Sequence, residues 1–145
     1  MGEQGFTLIE LLVVILIIGI LAGIAIPIFL NQKGKAYDAS AKELARTAQT
    51  TAETIATDNS NEYEKVTLPE LHTFEKLLPT TQAEAGNNGW LSATTHSSTA
   101  YSVTATANNT RDEFTIARSA NGEVSRTCKS GPSKTGCSGQ ETGTW

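Results

Sequence analysis

Hydrophobic and polar positions divide the chain into three stretches, each with its own period. From Phe6 to Leu30 the one ionisable residue is Glu10, and Leu, Ile, Val, Phe, Ala and Gly fill almost every other place. At about 1.5 Å rise per residue, the uncharged run Leu11 to Leu30 makes a helix roughly 30 Å long, which matches the hydrocarbon thickness of a bilayer. A secretory signal peptide would have a basic start, a shorter apolar run and small residues beyond it, so this segment reads as a membrane span. After Leu30 the pattern turns amphipathic. Tyr37, Ala41, Leu44, Ala48, Ala52 and Ile55 recur at steps of three or four among Lys35, Asp38, Lys42, Glu43, Arg46 and Glu53, the spacing of one helix face. A single helix from about Phe6 to Thr57 covers both stretches, and Asp58, Asn59 and Ser60 end it. Its second half carries a stripe of small Ala residues that lets a flat partner, such as a sheet, come close.

Between Asn59 and Gly89, Thr67-Leu68-Pro69-Glu70 has the spacing of a capping box with Pro in the first turn, followed by Leu71, Phe74, Leu77 and Leu78. A short helix is predicted there, closed by Pro79. Beyond Trp90 the period falls to two. Tyr101, Val103, Ala105 and Ala107 alternate with polar residues, as do Phe114 and Ile116, and Ala120-Asn121-Gly122-Glu123 joins the latter to a run through Val124, Arg126 and Cys128. These are half-buried strands around a hairpin turn, with Trp90 to Thr95 a weaker candidate. The predicted fold class is α+β: one long N-terminal helix packed on an antiparallel sheet of three to four strands.

With 145 residues there is room for one soluble domain beyond the span, and a net charge of -4 argues against nucleic acid held by bulk attraction. From Trp90 onward Arg111, Arg118, Arg126, Lys129 and Lys134 nearly balance Asp112, Glu113, Glu123 and Glu141. The same half lacks the dense acidic cluster that calcium requires. His72 and His96 accompany no Ser nucleophile motif and no paired carboxylates, so no enzyme activity and no cofactor are expected. Asn108-Asn109-Thr110 spells a glycosylation sequon, which an Asn-rich hairpin turn explains equally well. Cys128 and Cys137 enclose a loop rich in turn formers. A disulfide there would stabilise by roughly 2.5 to 3 kcal/mol in the chain-entropy model and suits an oxidising exterior. Metal binding is the alternative, but two cysteines without a second pair or a nearby His make a poor zinc site.

Glu10 is the chemically informative residue. A carboxylate at mid-membrane costs about 2.5 to 3.5 kcal/mol, which the eighteen Leu, Ile, Val and Phe residues between Phe6 and Leu30 offset at around -0.4 kcal/mol each. Insertion therefore survives, while the carboxylate still seeks a cation. Gly19, Gly23 and Pro27 follow at steps of four on one helix face. Small residues so spaced serve close helix packing, and the Pro with its two glycines also loosens a helix that must later extend.

The run Gly5-Phe6-Thr7-Leu8-Ile9-Glu10-Leu11-Leu12-Val13-Val14 resembles the signature of type IV pilins and pseudopilins. The likeness continues through Gly19 and Pro27, the segment to Asn31 looks like pilins of Gram-positive bacteria, and specific similarity covers roughly the first 55 residues. It implies a type IV pilin fold and cleavage by a prepilin peptidase after Gly5, with methylation of Phe6. The new Phe6 amine would then pair with Glu10 of a neighbouring subunit. Many pilins also carry a C-terminal disulfide loop like the one Cys128 and Cys137 would close. The leader departs from the family's usual basic character, since Met1-Gly2-Glu3-Gln4-Gly5 has no Lys or Arg. Counting Lys33 and Lys35 alone would place the soluble domain inside the cell, whereas the cysteines place it outside.

The expected organisation is a leader (1-5), a membrane and assembly half of the helix (6-30), an amphipathic half (31-58), a connecting region (59-89), and a sheet with disulfide loop (90-145). The tail from Ser138 is expected to be mobile apart from Trp145. The implied function is the major subunit of a filament used in adhesion, motility or DNA uptake, which waits in the cytoplasmic membrane and ends at the cell surface. Its implied partners are its own copies, the peptidase and the assembly machinery, with DNA or a host surface weakly indicated. A minor pilin or pseudopilin of a secretion or competence fibre, and an anchored binding domain that never polymerises, are the competing readings.

Overall fold

The computed structural model describes residues 2, 5–137 and 140–145; of the expected leader, Met1, Glu3 and Gln4 lie outside the described residues. The chain divides into two units, Met1–Lys33 and Gly34–Trp145. Helix α1 (Leu8–Asp58) begins in the first and ends in the second. In the first unit eighteen large apolar side chains from Phe6 to Leu30 are between 45% and 90% exposed, and none of its described residues is buried. The helix continues unbroken through Pro27, and a Cβ added at Gly19 or Gly23 would meet no atom within 4 Å. It is long and apolar enough to cross a membrane.

Helix α1 starts at Leu8, two residues later than the apolar pattern suggested, because Thr7 caps it. The Leu11 amide makes the first helical bond to the Thr7 carbonyl at 3.2 Å. At the other end, Ser60 and Asn61 take positive φ values of 58° and 64°. The Asn61 amide reaches back to the Ala56 carbonyl at 2.7 Å, so a left-handed turn closes the helix where Asp58-Asn59-Ser60 predicted an end.

In the second unit a five-stranded antiparallel meander runs in order β1 (Gly89–His96), β2 (Tyr101–Ala107), β3 (Glu113–Arg118), β4 (Val124–Lys129), β5 (Thr142–Thr144). Ala41, Ala45, Ala48, Ala52 and Ile55 from α1 share one core with Leu91, Tyr101, Val103, Ala105, Ala107, Phe114 and Ile116 from the strands. The alanines permit the close approach. At Gly89 a Cβ would sit 2.6 Å from the Thr106 carbonyl oxygen and 3.3 Å from Ala41 Cβ, so only Gly fits there.

The β3–β4 hairpin turns where Asn121-Gly122 predicted it, with Gly122 at φ 87°. The fifth strand corrects the count of three to four and the expectation of a mobile tail. β5 pairs with β4 through Thr127, Cys128 and Lys129, and Trp145 packs edge-on against Phe114 at 5.7 Å. Ser138 and Gly139 lie outside the described residues. Helix α2 (Leu68–Phe74) forms with Thr67 as its cap, but it stops before Leu77, which is 86% exposed. The backbone is already extended at Glu75, leaving Leu71 and Leu78 as the buried pair.

Candidate functional site

Gly5 and Phe6 precede α1 without regular structure, and Phe6 is 90% exposed. One turn on, Glu10 is held by Thr7. Its Oε2 accepts the Thr7 amide at 2.8 Å and the Thr7 hydroxyl at 2.7 Å, and the Thr7 hydroxyl oxygen accepts the Glu10 amide at 3.3 Å. This is a reciprocal capping box. Sequence reasoning found that pattern at Thr67-Leu68-Pro69-Glu70 but passed over the parallel Thr7-Leu8-Ile9-Glu10, where the apolar surroundings drew attention to charge instead. The box fixes the carboxylate at the start of the helix, where the helix dipole favours an anion. A cation arriving at the end of the chain would meet an oriented acceptor.

The structure thus brings Gly5, Phe6 and Glu10 into one short stretch, with Gly19, Gly23 and Pro27 further along the same helix. Cys128 and Cys137 belong to the other unit, where they form a disulfide with both side chains 5% exposed. The metal alternative for these cysteines is thereby excluded. Among the described residues no cluster of metal-ligating side chains occurs. His72 Nδ1 lies 2.8 Å from the Leu78 carbonyl oxygen and ties α2 to the chain after it, whereas His96 is exposed at the end of β1.

Two polar clusters escaped the sequence reading. Asp38 falls on the buried stripe of α1, three residues before Ala41. It accepts hydrogen bonds from the Thr110 and Thr135 hydroxyls, each at 2.6 Å. Burial raises its pKa above the ordinary carboxylate value, the two threonines lower it, and the nearby Asp112 charge raises it further. The signal was available as a carboxylate at a core position of the helical period. Thr110 is 4% exposed, and the Asn108 side-chain amide donates to the Gly86 carbonyl, so the sequon is structural in the folded chain. The second cluster surrounds Glu53, which accepts from the hydroxyls of Tyr63 at 2.7 Å and Tyr101 at 2.8 Å and faces Arg118 at 3.6 Å.

Comparison with known proteins agrees with the N-terminal geometry. Residues 1–26 match the prokaryotic N-terminal methylation motif. The type IV narrow pilus major component PilA5 of Thermus thermophilus is 36% identical over 120 residues, which cover 81% of this chain and 90% of that relative. No solved structure matches.

Proposed function

Because this chain belongs to the type IV pilin family, a family of filament subunits, we propose that it is the major subunit of a type IV pilus. In this reading a prepilin peptidase cuts between Gly5 and Phe6, Phe6 is methylated, and the subunit waits in the membrane by its N-terminal helix before polymerising into a surface filament. Glu10 takes the amine of a neighbour's Phe6. Gly19, Gly23 and Pro27 allow neighbouring helices to approach and let this stretch loosen as subunits slide together.

The observation that carries the reading is the run of eighteen exposed apolar side chains with one carboxylate at its head. Lipid covers those side chains in the waiting subunit and copies of the same helix cover them in the filament. The major role follows the Thermus thermophilus relative, which is named as a major pilus component. Adhesion, motility or DNA uptake is the use proposed for the fibre.

Mass spectrometry of sheared filaments tests this directly. Subunits should begin at methylated Phe6 and dominate the sheared material. Polymerised subunits that still carry Met1 would overturn the processing step, and a trace amount among other pilins would move the chain to a minor role.

A further inference from the structure

Three segments meet at two buried carboxyls. Asp38 comes from α1, Thr110 and Asp112 from the turn between β2 and β3, and Gly131 and Thr135 from the loop that the disulfide closes. Asp38 is 3% exposed and Asp112 is fully buried, so bulk water reaches neither. Counting hydrogens shows that the cluster is one short. The Thr110 hydroxyl serves Asp38 Oδ1 at 2.6 Å, and the Gly131 amide serves Asp112 Oδ1. The Thr135 oxygen, however, lies 2.6 Å from Asp38 Oδ2 and 2.9 Å from Asp112 Oδ2. A hydroxyl carries one hydrogen and can give it to one of them. The other short oxygen–oxygen contact is attractive only if the second carboxyl brings a hydrogen of its own.

We propose that Asp38 and Asp112 share one bound proton when the disulfide loop is seated, so that the loop is a proton-dependent clasp on the helix and the β2–β3 turn. Neither carboxyl is in an ion pair among the described residues, where the two pairs are Arg46–Glu43 and Arg118–Glu53. Along the chain, the charged and titratable residues within four positions of the cluster are Lys35, Tyr37 and Lys42 on α1, Arg111 and Glu113 at the turn, and Lys129 and Lys134 at the loop. Of these, Lys42 stands over the Phe114 and Trp145 rings and Arg111 over Trp90. With two carboxyls buried side by side and no cation paired to either, double ionisation is the costly state.

The sign follows from linkage. Burial first, and then the Asp112 charge, hold the Asp38 carboxyl above the ordinary value. A carboxyl raised in the folded state contributes stability below its unfolded pKa of about 3.9 and loses it as pH rises through the folded pKa. The clasp is therefore tightest in mild acid and loosest at neutral and alkaline pH, opposite to a salt-bridged aspartate. The inference rests on this geometry alone and stands whether or not the chain polymerises as proposed above.

Reduction of the buried Cys128–Cys137 bond reports loop opening. The full-length protein in detergent micelles is treated with a water-soluble phosphine from pH 4 to 8, and each rate is divided by that of an unstructured disulfide peptide at the same pH. The normalised rate should rise with pH by about tenfold for each unit by which the shared proton's pKa is raised. Asp112→Asn keeps an oxygen for the Gly131 amide and brings its own hydrogens to Thr135. Its profile should start at the low wild-type acid rate and rise less with pH than the wild type's, since the Asp112 charge is gone while the burial of Asp38 remains. Asp38→Asn makes the same replacement from the helix side if Asp112→Asn does not fold. Carboxyl carbon NMR of the wild type must also show Asp38 titrating above the ordinary range. A flat wild-type profile, or an Asp38 carboxyl titrating at or below about 3.9, would overturn the clasp.

Discussion

The two halves of helix α1 have the same backbone and opposite rules for their side chains. Before Lys33 eighteen residues are large, apolar and exposed; after Gly34 the buried hydrophobic positions of the helix are Ala41, Ala45, Ala48, Ala52, Ile55 and Ala56. Burying one Leu, Ile, Val or Phe side chain is worth about 1.5–3 kcal/mol, so leaving eighteen of them in water forfeits more than the usual net stability of a domain, roughly 5–15 kcal/mol. The first half is thus an element whose partners lie outside its own chain. The second half is made of small residues because its partner, the sheet, is already present and close. Substitutions should therefore separate cleanly: in the first half they should change insertion and assembly, and in the second the stability of the fold.

The strongest test of that separation is Glu10. Glu10→Ala should insert into the membrane at least as well as the wild type, since it removes a charge whose insertion cost reaches about 2.5–3.5 kcal/mol at mid-membrane and is smaller near a helix end, yet yield almost no sheared filament. An incoming Phe6 amine left unpaired in a low-dielectric bundle would stall each addition. Glu10→Gln, which keeps the shape, should fall nearly as far. Circular dichroism of the sheet should be the same for all three proteins. Normal filament yield from either variant would remove Glu10 from assembly.

Next in size is a pair of truncations. Phe114 is fully buried between α1 and the sheet, and Phe114→Ala should cost about 3–5 kcal/mol in thermal or denaturant unfolding of the domain. Ile17 is 50% exposed in the first half, and Ile17→Ala should leave that transition unmoved. Equal losses would show that the halves are not energetically separate. Replacing both Cys128 and Cys137 by Ala should cost less, about 2.5–3 kcal/mol, because the closed loop is short. Hydrogen exchange should place that loss at β5, whose pairing runs through Cys128, and leave the apolar helix protected.

How much of this was legible beforehand differs between the regions for physical reasons. The membrane half, the Ala stripe and the Tyr101 to Ala107 alternation are periodic, and a period shows in one sequence without knowledge of any partner. The 3-residue strand β5 is too short for a period and depends on β4 for its register. The Asp38 cluster was missed because Thr110 and Thr135 stand 72 and 97 residues away in the chain, and the Glu53 cluster because Tyr101, which completes it, stands 48 residues away although Tyr63 is only 10 away; each member alone resembles a solvated polar residue. The cleavage and pairing proposed at Gly5, Phe6 and Glu10 rest on a family signature together with the cost of a carboxylate in an apolar run, since the chain by itself supplies no neighbour to complete the site.

The smallest effect concerns the Glu53 cluster, and it distinguishes the halves by pH. Tyr101 is 3% exposed, and its hydroxyl donates to Glu53 while its ring lies 4.8 Å from that of Tyr63. Tyr101→Phe keeps the ring and removes one hydrogen bond to a partly exposed carboxylate, a loss of about 1 kcal/mol at neutral pH. Burial, and then the hydrogen bond and charge of Glu53, raise the pKa of both Tyr101 and Tyr63, because a phenolate there would be desolvated beside an anion. A phenol raised in the folded state contributes stability below its unfolded pKa of about 10 and loses it as pH rises further. The wild-type domain should therefore weaken above about pH 10. Tyr101→Phe should weaken less over the same interval, since Tyr63 alone remains to titrate in the cluster, and the stability gap between the two proteins should narrow there. The run Leu11 to Leu30 contains no titrating group, so its helicity in detergent should not change over that interval. Parallel pH profiles for the two proteins would show that the alkaline weak point lies elsewhere than Glu53.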